Sequence, residues 1–321
     1  MRFMNDLITN ALLVILQLAV TLLAAPLIFG IIKKTKSRIQ NRRGPSILQP
    51  YADLTKMLKK EVVISENASW LFSFTPYLLI ASTLVIVLLV PTVFAPLPFH
   101  WIGDIITVAY FFALGRFFLA LAGLDTASGF GGLGSSREMS IASIVEPAMM
   151  LSIFAVAVTA GSTNLSIVVR NLSTTPASMF NPSHLLAFVA LFIVTIAETG
   201  RIPVDNPETH LELTMIHEAM ILEYSGRYLA FIEWASQMKM IIFLSLLANL
   251  FFPIGLATVL TPAALGISVV AFVAKMTVLA VAIALVESTN AKLRLFRVPD
   301  LLMTAFILAL LSLILYFIVG A

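Results

Sequence analysis

The sequence contains no cysteine and few charged residues. Of its 321 residues none is Cys and only 12% are Asp, Glu, Lys or Arg. The chain therefore offers no thiolate for an iron–sulfur cluster or a disulfide. Its four histidines lie outside the middle of the apolar runs, where a pair could ligate a membrane haem. These absences predict that the chain carries no electrons itself.

What dominates instead is apolar sequence. Hydrophobic residues make up 60% of the chain, above the roughly 45 to 50% of a soluble domain. Several apolar runs reach the ~20 residues that a helix needs to cross a bilayer, and none alternates as a barrel strand would. The first run, Leu7 to Ile32, is too long for the core of a signal peptide and ends in lysines. The sequence predicts an all-α integral membrane protein.

The apolar pattern divides the chain into eight transmembrane helices within a single transmembrane domain, residues 1–321. No internal repeat is visible, which argues against a transporter built from two inverted halves. The spans are expected at about 7–32, 75–95, 103–123, 139–161, 183–199, 237–252, 264–286 and 300–319.

Positive charge predicts the orientation, because cytoplasmic loops hold the excess Lys and Arg. Nine Lys and Arg residues lie between Lys33 and Lys60, and three more between Lys292 and Arg297, whereas the loops on the other side are nearly bare. We expect a multi-pass protein of the cell membrane with both termini outside and an acidic loop in the cytoplasm. The end of the first basic loop, "ADLTKMLKKEVV", also fits a short amphipathic helix on the membrane surface.

Three ionisable residues interrupt the apolar runs: Arg116, Glu146 and Lys275. Such residues are costly in lipid and indicate function by default. Glu146 follows Glu138 by eight residues, ~12 Å along a helix, and precedes the helix-kinking Pro147. We expect Glu146 to be buried beside a polar cavity. For Arg116 and Lys275 the alternative is a structural pairing with a carboxylate.

The stretch from Ala197 to Gly226 concentrates the acids. It holds six carboxylates, two histidines and one arginine, and its second part, from Glu208, reads as a helix with interleaved apolar residues. A solvated charged face is the plain alternative. The spacing of His210 and His217 matches no metal motif, so no metal site is assigned. Acids on a mostly apolar helix between spans indicate a lined, hydrated passage.

Three motifs in order resemble one family. They read "IQNRRGPSILQPYADLTKMLKKE", "AETGRIPVDNPETHLELTMIHEAMILEYSG" and "LRLFRVPDLLM". Their order and spacing are similar to the membrane subunit 1 family of respiratory complex I, and closest to its hydrogenase branch. The middle of the second motif departs from the quinone-reducing members, which speaks against a quinone headgroup site.

The resemblance and the buried charges together select candidate residues. Those expected to form a proton or ion pathway are Asp125, Glu138, Glu146, Glu198, Asp205, Glu208, Glu212, Glu218, Glu223 and Lys275. Those expected to dock a peripheral arm or to act as charge partners are Arg42, Arg43, Gln49, Asp53, Arg116, Arg137, Arg201, Arg294, Arg297 and Asp300.

The resemblance implies a non-catalytic anchor and ion-coupling subunit of an energy-converting hydrogenase. It implies no cofactor in this chain, with a nickel–iron centre and iron–sulfur clusters in partner subunits. The expected partners are the large and small subunits of a peripheral hydrogenase, antiporter-like membrane subunits and the lipid bilayer, and no nucleic acid. The alternatives are the equivalent subunit of a quinone-reducing complex I or of a sulfur-reducing relative, and, from another class, an autonomous ion permease.

Overall fold

The computed structural model describes residues 2–95, 98–174, 181–206, 215–257 and 261–319, and in these ranges the chain is almost entirely helical. The helices are α1 (Arg2–Ile39), α2 (Gln49–Leu58), α3 (Trp70–Leu89), α4 (Ile105–Asp125), α5 (Gly129–Ala160), α6 (Leu165–Thr174), α7 (Pro182–Glu198), α8 (His217–Ile221), α9 (Gly226–Phe251), α10 (Pro262–Thr289) and α11 (Val298–Val319).

The membrane-protein prediction is confirmed. Among the described residues, seven helices are long and apolar enough to cross a membrane: α1, α3, α4, α5, α9, α10 and α11. The remaining predicted span coincides with α7, which is apolar but only 17 residues long. Helix α7 packs against α5, α9 and α11.

Most of the candidate site residues lie at one end of the bundle, which we call the basic end. Here α1, α4, α7 and α10 finish and α3, α5, α9 and α11 start. Side chains tie these ends together: Lys36 of α1 pairs with Glu287 of α10 at 3.5 Å, and Asp125 of α4 accepts from the Ser69 amide before α3 at 2.7 Å. The predicted amphipathic helix corresponds to α2, which ends at Leu58 and packs on α9 and α1; its place on the membrane surface stays a prediction.

Several predicted helix boundaries were wrong, among them the start of α5, which is Gly129 and not residue 139. Helix α3 stops at Leu89, before Pro91, and not at residue 95, because proline removes a helical donor and restricts the preceding residue. Helix α9 begins at Gly226, eleven residues before the predicted start. Charges at Arg227, Glu233 and Lys239 lowered the hydropathy of its first turns without interrupting the helix.

The segment after α3, residues 90–95, is irregular and fully buried. Non-helical backbone is tolerated at membrane depth only when protein groups satisfy its carbonyls. Four polar side chains from four other helices do so: Gln17 donates to Val87 and Val90, Asn249 to Pro91 and Thr92, Ser268 to Val93, and Ser166 to Ala95. The polar residues inside these spans therefore have a structural role.

The short sequence "EYSG" joins α9 to the loop before α3. The Tyr224 ring stacks on Phe72 at 3.9 Å between ring centroids, its hydroxyl donates to the Phe72 carbonyl, and burial raises the pKa of its phenol. Ser225 makes two hydrogen bonds with the backbone of Val63. Gly226 has φ +55°, and a Cβ there would lie 2.4 Å from the Glu61 carbonyl oxygen. Only glycine satisfies both conditions.

Candidate ion-coupling site

A single guanidinium organises the first group of charges. Arg116 lies in α4, is 7% exposed, and reaches three carboxylates. Separate terminal nitrogens bind Glu146 of α5 and Glu198 at the end of α7, and Nε lies 3.5 Å from Glu138 of α5. Arginine suits this position because its planar fork offers five donors and stays charged.

Glu198 is the best compensated of these acids. Its side chain is 1% exposed, and Lys239 of α9 binds its second oxygen at 2.7 Å. Glu138 and Glu146 are more open, at 20% and 39% side-chain exposure. We call Arg116, Lys239, Glu138, Glu146 and Glu198 the Arg116 cluster. With every group ionised, three carboxylates face two cations, which leaves one negative charge in excess.

A cavity adjoins the Arg116 cluster. Its volume is about 90 Å³, several times the ~10–15 Å³ that one water molecule requires. One wall is apolar, from Leu79, Ile86 and Phe112, and the other carries Arg116, Glu138, Glu198 and Lys239. The charged wall gives water the polar partners that it needs to enter such a space.

A second group of charges lies beside the first. Arg201 follows α7, is 4% exposed, and binds Glu287 of α10 at 3.1 Å, while Lys36 binds the other oxygen of Glu287. The Arg201 guanidinium also lies over the Phe29 ring, 4.8 Å from its centroid. We call Lys36, Arg201 and Glu287 the Arg201 cluster. Here two cations face one carboxylate, the reverse of the imbalance around Arg116.

The two clusters are joined by cavities with a common wall. A smaller cavity, of about 40 Å³ by the same measure, is lined by Arg201, Glu218 and Glu233. The residues that line both cavities are Thr199, Gly200, Asp205, His217, Ile232 and Ser236. The two ion-paired clusters and the two neighbouring cavities thus extend from Glu146 on α5 to Lys36 on α1, across the basic end of the bundle.

Asp205 holds this common wall in place. It is 3% exposed; one oxygen accepts from Lys292 at 2.7 Å and from the Asn206 amide at 2.8 Å, and the other accepts from the amides of Ile216 and His217. Asp205 therefore connects the turn after α7, the start of α8 and the segment before α11.

Comparison with known proteins identifies the family. The sequence profile described as "NADH dehydrogenase" matches residues 11–318. The chain belongs to the NADH dehydrogenase family. It is 35% identical over 298 residues to formate hydrogenlyase subunit 4 of Escherichia coli (strain K12), covering 93% of this chain and 96% of that protein. It is 36% identical to hydrogenase-4 component C of the same strain, covering 92% of each chain.

Quinone-type relatives are also similar to this NADH dehydrogenase family member. An NADH-quinone oxidoreductase subunit of Syntrophotalea carbinolica is 31% identical over 270 residues, 77% of this chain and 79% of that protein. The predicted resemblance to the complex I subunit family and its hydrogenase branch is confirmed. The fold also matches a chain in the structure of a membrane-bound sulfane sulfur reductase, an archaeal respiratory membrane complex, with a TM-score of 0.80 at 20% identity, over 96% of this chain and 98% of that one.

The prediction that Glu146 is buried was wrong for this chain taken by itself. Helix α5 runs through Pro147 without a break, and its turn at Glu146 leaves the carboxylate 39% exposed at the side of the bundle. The residue faces inward only far enough to pair with Arg116. The depth estimate from Glu138 could not find this, because it gives position along the helix and not direction around it.

Other candidate acids lie near the path but do not all join it. Asp125 holds the start of α3, and Glu223 is exposed beside the Tyr224 stacking. Glu218 lines the smaller cavity. Glu208 and Glu212, like His210, lie outside the described residues. The prediction of one helix from Glu208 onward was too long, since in the described part only His217–Ile221 is helical.

Several predicted docking residues are exposed at the basic end. Arg42, Arg43, Arg294, Arg297 and Asp300 are exposed, and Gln49 donates to Asp53 at 2.9 Å on α2. Arg116 and Arg201 have an internal role as charge partners. Arg137 also points inward and donates to the Met215 carbonyl at 2.9 Å, next to the turn that Asp205 holds.

Lys275 lies apart from both clusters. It is partly buried in α10, and its ammonium donates to Asn249 Oδ1 at 2.6 Å and to the Phe252 carbonyl at 3.4 Å. The residues that sequence reasoning missed are Lys36, Lys239 and Glu287, as partners in the clusters, and Lys292, as the partner of Asp205. Lys239 was detectable, since it lies at the start of the apolar run "MIIFLSLLANLFF", where a lone lysine is unusual.

Proposed function

We propose that this chain is the membrane anchor and ion-coupling subunit of a multisubunit energy-converting hydrogenase of the cell membrane. The observation that carries the proposal is the Arg116 cluster, in which three carboxylates share two cations beside a cavity large enough for water. The cluster holds one carboxylate in excess of its positive charge, and we take this carboxylate as the group that exchanges a proton with water in the cavity.

Glu138 and Glu146 are the groups that take up this proton. They are the more exposed acids of the cluster and share only Arg116, whereas Glu198 is held by two cations. When either acid is protonated, Arg116 is attracted less to α5 and relatively more to Glu198. Two charges interact with an energy of several kcal/mol where the effective dielectric constant is low. A redox event at the basic end can therefore alter how strongly Glu138 and Glu146 bind a proton. The ion moved is a proton or sodium.

The choice of a hydrogenase rests on the relatives with 35% and 36% identity over more than nine tenths of the chain. The nickel–iron centre and iron–sulfur clusters then belong to the large and small subunits of the peripheral arm. Antiporter-like subunits are the proposed neighbours within the membrane, and the chain termini are proposed to lie outside. The apolar wall of the cavity and the similarity to the NADH-quinone oxidoreductase relative keep a quinone-reducing complex as the second candidate.

The test is isolation in mild detergent through a tag on this chain, with mass spectrometry of the associated proteins and analysis of metals and quinone. Nickel together with hydrogenase subunits is the expected result. Bound quinone with no nickel would favour the second candidate, and iron–sulfur subunits with neither would favour a sulfur-reducing complex. A chain that purifies alone and moves ions in liposomes would contradict the proposal and indicate a permease.

A further inference from the structure

Lys275 lies at the middle of α10. It lies 13 residues after Pro262 and 14 before Thr289, the two ends of α10, which places it about 20 Å from either end at 1.5 Å per residue. The hydrocarbon layer is ~30 Å thick. The Lys275 ammonium binds the carbonyl of Phe252, where α9 ends, and lies far along α10 from the basic end.

The two partners of Lys275 in the described residues are neutral and fixed. Asn249 donates its amide nitrogen to the carbonyls of Pro91 and Thr92 at 2.7 and 3.0 Å. These two bonds orient the amide so that its oxygen faces Lys275, at 2.6 Å from Nζ. An ammonium has three donors, and Asn249 and Phe252 accept from two of them. The position of the ammonium is thus determined without any counter-charge from the described chain.

Two buried carboxylates in the described part of the chain, Glu287 and Glu198, are engaged elsewhere. Glu287, on the same helix, lies 12 residues away, about 18 Å along the axis, and is bound by Arg201 and Lys36. Glu198 is bound by Arg116 and Lys239 at the basic end. A lysine within a membrane-spanning helix is costly unless it is paired or faces a water-filled space.

The outer face of α10 is open beside this lysine. Helix α10 packs on α1 and α9, and only 28% of its apolar stretch is buried. Ile267, Val270 and Val278 are each about two thirds exposed, at 67%, 70% and 68%. The spacing of these residues places them on one side of the helix, with Ala274 between them and next to Lys275.

We infer that a transmembrane helix of a neighbouring subunit packs along this outer face of α10 and supplies an Asp or Glu that pairs with Lys275. A carboxylate fits, rather than a hydroxyl or an amide, because the missing feature is negative charge and the remaining donor is an ammonium. Lipid chains could cover the apolar residues but offer no counter-charge. The inference rests on the proposed membership of a multisubunit complex.

The test uses the intact complex with a photo-reactive amino acid in place of Val278, and of Ile267 about 16 Å away on the same face. We expect both positions to cross-link to one membrane helix of another subunit, with an Asp or Glu within one turn of the depth of Lys275. Lys275→Met should lower the cross-linked yield by about fivefold, which is about 1 kcal/mol at 1.4 kcal/mol per tenfold change. Lys275→Arg should keep the yield.

Thr277→Val is the matched control, because Thr277 is a neutral polar residue of the same turn whose hydroxyl bonds to its own helix at 2.8 Å. It should leave the yield unchanged. A reciprocal exchange, Lys275→Glu with the partner carboxylate changed to Lys, should restore the yield that Lys275→Glu alone loses. Cross-links to lipid, to a second copy of this chain or to a helix without Asp or Glu at that depth would overturn the pairing. With the complex itself isolated, the proposed function would still stand.

Discussion

Arg116 binds Glu198 inside the bundle and so joins the middle of α4 to the last residue of α7. The same guanidinium holds Glu146 through another nitrogen. One arginine thus connects a nearly inaccessible acid, which has a second cation in Lys239, to a half-exposed acid, which has none among the described residues. This asymmetry is the basis of the proposed proton relay.

The first prediction concerns the fork of Arg116. Arg116→Lys keeps the charge but replaces the planar guanidinium and its five donors with a compact ammonium that reaches less far. We expect a loss of about 3 kcal/mol in the free energy of unfolding, in the range for broken buried ion pairs, and less ion movement per turnover in vesicles. Arg170→Lys, exposed on α6 at the opposite end, is the control. Equal effects of the two changes would show that the fork is not needed.

Gly226 supports a stability prediction. Gly226→Ala places a Cβ 2.4 Å from the Glu61 carbonyl oxygen at a positive φ, so the loop before α3 must move. We expect a loss of about 1–3 kcal/mol, measured by thermal unfolding in detergent. Gly266→Ala is the matched control, because a Cβ at this position in α10 would meet no atom within 4 Å and alanine favours helix by up to about 1 kcal/mol. A destabilised Gly266→Ala with an unaffected Gly226→Ala would contradict this reading.

The sequence predicted the spans well because transmembrane hydropathy is a local property. Arg116, Glu146 and Lys275 were also detectable, since each interrupts an apolar run. Their partners were not, because pairing depends on direction around a helix and on how helices far apart in sequence pack. Arg116 and Glu198 are 82 residues apart, and Arg201 and Glu287 are 86 apart. Lys275 shows the same limit: its depth was predictable, and its separation from the acids was not.

The exposed arginines before α2 give a docking prediction. The double change Arg42→Glu and Arg43→Glu reverses two charges on an exposed loop and removes no buried contact. We expect the peripheral subunits to be released from membranes while this chain stays inserted, as measured by immunoblots of washed membranes. The control is Arg170→Glu, which alters charge at the opposite end. If the double variant retains a full, active complex, the loop does not dock the peripheral subunits and its charges serve only to orient the chain in the membrane.

Orientation is tested by reporter fusions. A reporter inserted at Ser37 or Asn290 should behave as cytoplasmic, because both positions lie beside the Lys and Arg residues of the basic end. A reporter after Ala321 should behave as external. Because Ser37 lies within α1, a second insertion at Glu66, outside the helices, guards against local disruption. A cytoplasmic reporter at the C-terminus would overturn the proposed orientation.

The last prediction concerns Glu146 as a proton relay. Glu146→Gln keeps the shape of the side chain and a hydrogen-bonding oxygen for Arg116, but it removes the ability to gain and lose a proton. It also leaves two carboxylates facing two cations in the Arg116 cluster, so the excess negative charge disappears. Because Glu146 is 39% exposed, the exchange should not impair assembly, and the complex should retain redox activity with an artificial electron donor. It should nevertheless build little ion gradient in sealed vesicles.

Glu146→Asp should restore part of the gradient. Glu66→Gln, a change at an exposed acid outside the clusters, should leave the gradient intact. Normal ion movement per turnover in Glu146→Gln would refute the relay and leave Glu146 as a structural partner of Arg116.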